Sequence, residues 1–249
     1  MEHDGQQFDV TCDFLFGATG YYDYAEGHAP HFEGQEDFAG EIVHPQFWPE
    51  DLDYQGKQVV VIGSGATAVT LIPAMADDTA HITMLQRSPS YVMPLPKQDP
   101  IANGLRKVLP DTVAYRVTRS INKGRQRLIY GASQRYPKQV RRIIRALNVK
   151  ALPEGYDVDT HFNPKYNPWD QRMCAVPDSD LFTAISQGKA EVVTDQIERF
   201  TKTGILLKSG RELPADIIVT ATGLKLLPFG GIQVSVDGQV KNPHDSLVY

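Results

Sequence analysis

The chain has 249 residues, of which 41% are hydrophobic and 22% are charged. This composition is that of one large or two small globular domains, and it excludes a disordered, collagen-like or disulfide-stapled chain. The net charge of −5 is unevenly spread, because residues 97–150 carry 14 Lys or Arg against two Asp; such a segment indicates either an anion-binding face or a solvated basic helical surface.

The first part of the chain predicts a strand, a loop and a βαβ unit. Residues 8–16 are predicted to form a strand that ends in a turn at 17–20, and residues 21–49 show no sustained period, which indicates a loop or linker. The apolar, β-branched run 57–62 predicts a strand buried on both faces of a parallel sheet. A helix over 66–75 and a second strand over 81–86 complete the unit.

The rest of the chain predicts a helical insertion followed by further strands. Apolar residues at helical spacing predict two or three helices over 101–149, and the proline-rich stretch 151–180 is expected to be irregular. A short helix is predicted over 181–186, and strands are predicted over 191–194, 197–201, 205–208 and 216–220. The last strand leads into Ala221-Thr222-Gly223, which repeats the Ala18-Thr19-Gly20 turn.

The cysteines and the N-terminus bear on compartment and metal content. Cys12 and Cys174 lie far apart and form no metal-ligand or CxxC spacing, so we expect no bound metal and a reducing compartment. No apolar run approaches the roughly 20 residues that span a bilayer, and the first residues lack a signal-peptide pattern. These features predict a cytoplasmic protein.

A glycine-rich motif follows the predicted buried strand and opens the predicted helix. It reads GxGxxA and consists of Gly63, Ser64, Gly65, Ala66, Thr67 and Ala68. In such motifs the first glycine makes a tight turn, the second lets the backbone approach a pyrophosphate, and the last small residue lets the helix pack closely on the strand. The helix N-terminus adds free N–H groups and a partial positive charge. The motif predicts a dinucleotide-binding site rather than a turn without a ligand.

The end of the second predicted strand indicates which dinucleotide binds. A site for NAD or FAD is expected to place an acidic residue there, to accept from the ribose 2′-hydroxyl. This chain has Arg87 followed by Ser88 instead. A guanidinium can hold a phosphate with paired hydrogen bonds, and a hydroxyl can add another. The pair therefore predicts NADP(H), whereas the alternative is an exposed arginine at a strand end.

A third pattern lies ahead of the glycine-rich motif. It has the spacing FxGxxxHxxxWP and consists of Phe38, Gly40, His44, Trp48 and Pro49. Taken alone, it predicts a linker with anchored aromatic rings and a structural histidine. Its spacing and place resemble the fingerprint of the flavin-dependent Baeyer–Villiger monooxygenases and flavin-containing monooxygenases. The resemblance extends over the whole chain, looks closest to the branch that includes the ethionamide-activating monooxygenase, and includes 86–89, Tyr166-Asn-Pro-Trp-Asp-Gln-Arg172 and 221–223.

The resemblance implies an α/β fold: a Rossmann-like, three-layer NADP(H)-binding domain with a mostly parallel sheet, inserted into an FAD domain through two linkers. It implies a linker and FAD-domain remnant over 1–53, the NADP(H) domain over 54–211 with its basic helical insertion at about 100–150, and a return linker over 212–249. The turn Ala221, Thr222 and Gly223 would belong to that return linker and contact cofactor.

The resemblance also implies roles for single residues. Arg87 and Ser88 match the pair that binds the 2′-phosphate. Arg172 matches the catalytic arginine that lies over the flavin and stabilises the negatively charged peroxyflavin. Gln171 stands where the family often has a lysine, which weakens one expected contact to the 2′-phosphate.

The implied function is an NADPH- and FAD-dependent monooxygenase. It would use O₂ to convert ketones to esters or to oxygenate sulfur or nitrogen in thioether- or thioamide-like substrates. The alternatives are an NADP(H)-binding module without turnover and a nucleic-acid binder, and the latter lacks any known nucleic-acid-binding signature. No FAD-binding GxGxxG precedes Phe38, so the chain resembles the central piece of such an enzyme.

That interpretation predicts the behaviour of the isolated chain. We expect NADP(H) binding without oxygenation. We also expect residues 1–53 and 212–249 to be loose or to self-associate, because the apolar runs Phe14–Phe16 and Ile217–Val219 would normally pack near the FAD domain and are expected to be exposed without it.

Overall fold

The computed structural model describes the backbone of residues 2–3, 6–7 and 9–246. Its strands, in chain order, are β1 Glu2–His3, β2 Gln6–Gln7, β3 Tyr22–Gly27, β4 Glu41–Val43, β5 Gln58–Ile62, β6 His81–Gln86, β7 Tyr91–Leu95, β8 Met173–Pro177, β9 Ala190–Thr194, β10 Ile197–Thr201, β11 Gly204–Leu207, β12 Glu212–Pro214, β13 Ile217–Thr220, β14 Leu224–Leu226, β15 Val234–Val236 and β16 Gln239–Lys241. Its α-helices are α1 Ala66–Met75, α2 Pro100–Arg106, α3 Asp111–Arg135, α4 Pro137–Ala151, α5 Val158–Phe162 and α6 Asp180–Ser186.

A five-stranded parallel sheet organises the region 29–222. Its strand order is β4-β13-β5-β6-β9, and each neighbouring pair is parallel. Strands β5 and β13 are apolar along nearly their whole length because both sheet faces are covered. Strand β5 has β6 on one side and β13 on the other, so the chain order reverses at β5. Such a switch point is where open α/β sheets bind ligands.

The sheet is the middle layer of three. Because successive strand residues point to opposite faces, Val59 and Val61 pack with Ile72 of α1 and Phe182 of α6 on one side. Val60 and Ile62 pack on the other side against an antiparallel sheet with the order β10-β11-β12. The predicted three-layer fold with a mostly parallel sheet is confirmed, and one of its outer layers is a β-sheet rather than a layer of helices.

A pair of parallel strands brackets the helical insertion. Strands β7 and β8 pair from Tyr91–Met173 to Leu95–Pro177, and α2 to α5 form the crossover that a parallel pair requires. Helix α3 buries only Ala114 and Ser133 among its 25 residues. The predicted insertion at about 100–150 therefore contains three helices, whose basic residues lie on largely exposed surfaces.

The chain divides into two compact units, residues 29–222 and the two termini, 1–28 with 223–249. In the terminal unit, β3 pairs with β14 and β15 with β16, both antiparallel. The unit 29–222 is larger than the predicted domain 54–211. The reason is that β4 and β13, from the two predicted linkers, are strands of the central sheet.

Several elements differ from the sequence predictions. The described part of 8–16 forms no strand, because nothing among the described residues pairs with it; the predicted loop 21–49 instead contains β3 and β4. The stretch 151–180 contains α5 and β8, and β7 was not predicted. Ile217, Ile218 and Val219 are fully buried in β13, so the expectation that they are exposed was wrong, whereas Phe14–Phe16 are exposed.

The described part of the chain has neither a membrane-spanning helix nor a metal-binding cluster. None of its helices is long and apolar enough to cross a membrane. It also contains no group of three or more His, Cys, Asp or Glu that could hold a metal ion.

Candidate nucleotide-binding site

The glycine-rich motif lies at the carboxyl edge of the central sheet, at its switch point. Gly63 follows β5 directly, and its N–H donates to the Leu85 carbonyl at the end of β6 over 2.8 Å. Gly63 has a φ of +139°, a backbone conformation that residues other than glycine rarely adopt. A Cβ built there would lie 2.4 Å from the Ala221 carbonyl oxygen. The turn therefore packs directly against the chain that leaves β13, and this contact requires glycine.

Ser64 ties the turn to the strand pair β7–β8. It is buried, and its Oγ lies 3.0 Å from Oγ of Ser90, the residue before β7. Its carbonyl accepts a weak bond from Cys174 Sγ at 3.8 Å. Since Cys174 is on β8, these contacts bring the start of both strands, and with them Arg172, to the glycine-rich turn.

The N-terminus of α1 offers the anion-binding groups that the motif predicts. Gly65 is the N-cap residue of the helix and makes no side-chain hydrogen bond. The first hydrogen bond of the helix runs from Val69 N to the Gly65 carbonyl at 3.1 Å. The N–H groups of Ala66, Thr67 and Ala68 precede that bond and have no intrahelical acceptor. Ala68 is fully buried against the sheet, while Ala66 and Thr67 are exposed. The small residues thus occupy the places expected for a pyrophosphate cradle.

Arg172 lies beside this cradle. A Cβ built on Gly65 would lie 3.5 Å from Arg172 Nη1 and 3.8 Å from its Cζ, and apart from its chain neighbours it meets no other described atom within 4 Å. The Arg172 backbone is held because its carbonyl accepts from Tyr166 Oη at 3.1 Å. The structure therefore brings Arg172 to the glycine-rich turn; the role over a flavin that the resemblance implies stays a prediction.

Arg87, Ser88 and Gln171 line one cavity of about 700 Å³, together with Pro89, Asp159, Thr160, Asn163, Lys165 and Tyr166. Arg87 and Ser88 follow β6 and are exposed, as expected for groups that meet a ligand at a strand end. The four polar residues at 159, 160, 163 and 165 were not predicted to belong to a site. They lie in the stretch predicted to be irregular and outside the run 166–172 that carries the resemblance.

One wall of this cavity is attached to the sheet through Gln86. The buried Gln86 amide donates to the His161 carbonyl and to Thr194 Oγ1, both at 2.8 Å. His161 Nδ1 lies 2.8 Å from the same Thr194 hydroxyl, and burial lowers the pKa of the imidazole. These bonds join α5 to the carboxyl ends of β6 and β9.

The acidic member of the cavity, Asp159, has its charge compensated. Arg145 donates to both of its oxygens, from Nε at 2.7 Å and from Nη2 at 2.6 Å, and Asn163 Nδ2 donates at 2.9 Å. The Arg145 hydrogen bonds, more than the one from Asn163, lower the pKa of the Asp159 carboxyl to about 2. The carboxylate therefore stays ionised and paired in the ordinary pH range.

Replacement of Arg145 by methionine is expected to raise the pKa of Asp159 from about 2 towards its ordinary value of 3.8. Because the folded-state pKa is depressed, the pair stabilises the fold above the ordinary pKa, and this contribution disappears as pH falls through about 2. NMR titration of the carboxyl carbon measures the shift, and Asn163→Ala should produce a smaller one. An unchanged pKa in Arg145→Met would refute the assignment.

The residues of the FxGxxxHxxxWP pattern surround β4 and its junction with β13. Phe38 is buried and meets Phe200 edge to face at 6.3 Å, and a Cβ on Gly40 would lie 2.2 Å from the Asp216 carbonyl oxygen. His44 Nδ1 accepts from Gln46 N at 3.2 Å. Half-buried Trp48 packs on the core and Pro49 accepts from Leu52 N at 3.4 Å. These contacts attach β4 to the sheet.

The turn after β13 holds the remaining predicted residues. The Ala221 carbonyl is the atom that meets Gly63, as described above. Thr222 Oγ1 donates weakly to the Thr220 carbonyl at 3.5 Å. Gly223 has a φ of +115° and begins the terminal unit. Ala221 is thus beside the glycine-rich turn, and contact of Thr222 and Gly223 with a cofactor stays a prediction.

Comparison with known proteins gives consistent matches. The family model described as "Flavin-binding monooxygenase-like" matches residues 1–242. The chain is 58% identical to the FAD-containing monooxygenase EthA of Mycobacterium tuberculosis, over 100% of the chain and 51% of that protein. It is 52% identical to the probable FAD-binding monooxygenase AlmA of Acinetobacter baylyi, over 96% of the chain and 48% of AlmA. The chain therefore spans about half the length of these relatives.

Two solved structures share the fold. An oxidised steroid monooxygenase bound to NADP matches with a TM-score of 0.68 and 19% identity, over 90% of this chain and 49% of that one. OTEMO in complex with FAD and NADP matches with a TM-score of 0.67 and 20% identity, over 92% and 50%. With a family match over nearly its whole length, the chain belongs to the flavin-binding monooxygenase-like family.

Proposed function

We propose that this chain is the NADP(H)-binding part of an FAD-dependent monooxygenase. The cavity that joins Arg87, Ser88 and Gln171 is the observation that carries the nucleotide assignment. It lies at the carboxyl ends of the strands, where the glycine-rich turn offers N–H groups for a pyrophosphate. A ribose 2′-phosphate in the cavity would meet the Arg87 guanidinium and the Ser88 hydroxyl.

The chain's own residues would bind and orient the nucleotide. Gly65 leaves the space for close backbone approach, and Arg172 places positive charge beside the pyrophosphate cradle. FAD, when bound to the complete enzyme, would accept the hydride and supply the oxygen-transfer chemistry. The names of the relatives EthA and AlmA support FAD as the second cofactor. We assign Thr222 and Gly223, which follow β13, to cofactor contact.

The proposed overall reaction consumes NADPH and O₂. Its substrates would be ketones, oxidised to esters, or compounds with a thioether, thioamide or amine, oxygenated at the heteroatom. The alternative is a nucleotide-binding module without turnover, which would bind NADP(H) but would not need FAD. Visible flavin absorbance of this chain, joined to the segments of a relative that lie outside the match and incubated with FAD, separates the two, since only the first requires the joined protein to retain flavin.

A completed protein tests the monooxygenase assignment directly. The chain is joined to the segments of the M. tuberculosis relative that lie outside the match, and oxygen uptake is measured with NADPH, FAD and a cyclic ketone or a thioether. We expect NADPH-dependent uptake coupled to product, and loss of uptake in the same protein carrying Gly65→Val. Flavin binding without any NADPH-dependent uptake would contradict the proposal.

The preference for NADP(H) is expected to depend on Arg87. A charge-assisted contact to phosphate contributes about 1.5–3 kcal/mol, so Arg87→Ala should weaken NADP⁺ binding by about tenfold or more and leave NAD⁺ binding nearly unchanged. Calorimetric titration of both nucleotides measures the change. Arg199→Ala, an exposed arginine on β10 in the outer sheet, is the matched control. An undiminished preference in Arg87→Ala would exclude this role.

A further inference from the structure

We propose that Lys165 is a second cation for the ribose 2′-phosphate and a determinant of the preference for NADP(H). The proposal rests on the proposed function, because it assumes that the 2′-phosphate enters the cavity lined by Arg87. Lys165 lines that same cavity with Ser88 and Gln171. It lies just before the run 166–172 that carries the resemblance, and the sequence alone assigned it no role.

The charge of the ligand calls for more than one cation. A phosphate monoester has a second pKa near 6 and therefore carries about −1.5 to −2 charges at pH 7. Arg87 compensates one of them and Ser88 contributes a neutral donor. Gln171 is also neutral, so Lys165 is the other cationic side chain that lines the cavity.

Both cations are available for a ligand. Within the described part of the chain, neither the Arg87 side chain nor the Lys165 side chain takes part in an ion pair or a hydrogen bond. The carboxylate that shares the cavity, Asp159, is bound by Arg145 in a two-bond contact instead. The charge of Asp159 is therefore compensated by a residue outside the lining, and Arg87 and Lys165 remain as the two cationic side chains of the lining.

The backbone around Lys165 is well anchored. Pro164 on one side is buried. Tyr166 follows Lys165, and the Tyr166 carbonyl accepts a hydrogen bond from Tyr91 Oη at 2.8 Å. The Tyr166 hydroxyl donates to the Arg172 carbonyl at 3.1 Å. An ammonium on an anchored backbone loses less conformational freedom on binding than one on a loose loop, which suits a specificity contact.

The test is calorimetric titration of the full chain with NADP⁺ and with NAD⁺. Lys165→Ala is expected to weaken NADP⁺ binding about tenfold, to leave NAD⁺ binding unchanged, and to make NADP⁺ binding less sensitive to salt. Lys202→Ala, an exposed lysine in the turn after β10, should change neither. The double variant Lys165→Ala/Gln171→Lys returns a cation to the same lining and should recover most of the lost affinity.

The outcomes separate this proposal from the proposed function. Equal loss for both nucleotides, or no loss, in Lys165→Ala overturns the role of Lys165. If Arg87→Ala abolishes the preference while Lys165→Ala preserves it, only the assignment of Lys165 fails. If the unmutated chain binds both nucleotides equally, the NADP(H) assignment itself fails.

Discussion

Replacement of Gly65 by valine is expected to abolish binding of NADP(H) while the fold remains intact. The protein itself has room for a β-carbon there, because among the described residues an added Cβ would meet only the Arg172 guanidinium, at 3.5 Å, an ordinary contact distance. The glycine is therefore not needed for packing within the chain. It is needed if a pyrophosphate approaches the backbone at the N-terminus of α1, since a side chain would occupy that space.

The measurement combines calorimetry with circular dichroism and thermal unfolding. We expect no detectable NADP⁺ or NAD⁺ binding in Gly65→Val, together with an unchanged spectrum and a loss of stability no larger than the small cost of a poorer helix cap. Beyond the local helix backbone, an added Cβ on Gly124 of helix α3 has no described atom within 4 Å, so Gly124→Val controls for the added side chain. Retained affinity in Gly65→Val would place the nucleotide elsewhere.

Replacement of Gly40 by alanine should have the opposite signature, a large loss of stability. Its Cβ would lie 2.2 Å from the Asp216 carbonyl oxygen and 2.6 Å from the Phe38 ring. The same carbonyl accepts from Glu41 N at 3.1 Å, and Asp216 Oδ2 accepts from Gln58 N at 2.8 Å. The clash therefore falls where β4 and β5 join the start of β13, and neither backbone can move without breaking these bonds.

We expect Gly40→Ala to lower the free energy of unfolding by about 3 kcal/mol, at the upper end of the usual cost of overpacking. Urea denaturation followed by circular dichroism measures it. Gly104→Ala, inside α2 with nothing within 4 Å of its Cβ, should instead stabilise the chain slightly, because alanine favours helix. Equal stability of Gly40→Ala and the unmutated chain would show that this fingerprint glycine is not needed for packing.

The parts of the fold that could be predicted are those encoded by nearby residues. The run 57–62, the GxGxxA motif and the helix after it lie in one short segment, so their pattern predicts β5, α1 and β6 within a residue or so. Apolar residues at helical spacing likewise predicted that the insertion is helical. These signals depend on the local periodicity of apolar residues and on backbone conformation, and consecutive residues determine both.

The parts that could not be predicted depend on distant partners. Strand β4 has three residues between Gly40 and His44 and exists because β13, more than 170 residues later, pairs with it. Strands β7 and β8 contain Pro94 and Pro177, which obscure a strand pattern. Their pairing closes the long crossover, which joins residues far apart in the sequence.

The same long-range dependence explains the errors at the candidate site. The run Ile217–Val219 was expected to be exposed because it would normally pack near an FAD domain. It is fully buried instead, because β13 lies between β4 and β5 in the central sheet and both faces of that sheet are covered. Lys165 and Asp159 could not be assigned from spacing, because they reach the cavity only when α5 docks on the ends of β6 and β9. Arg87 could be assigned, because its place at a strand end follows from the βαβ unit itself.

The central claim, that the glycine-rich turn and the cavity beside it bind NADP(H), is tested most directly by titrating the unmutated chain with NADP⁺ and with NAD⁺ in the same calorimeter and buffer. A 2′-phosphate held by charge-assisted hydrogen bonds should make NADP⁺ bind at least about tenfold more tightly than NAD⁺. Equal affinity for the two nucleotides, or binding of neither, would contradict it.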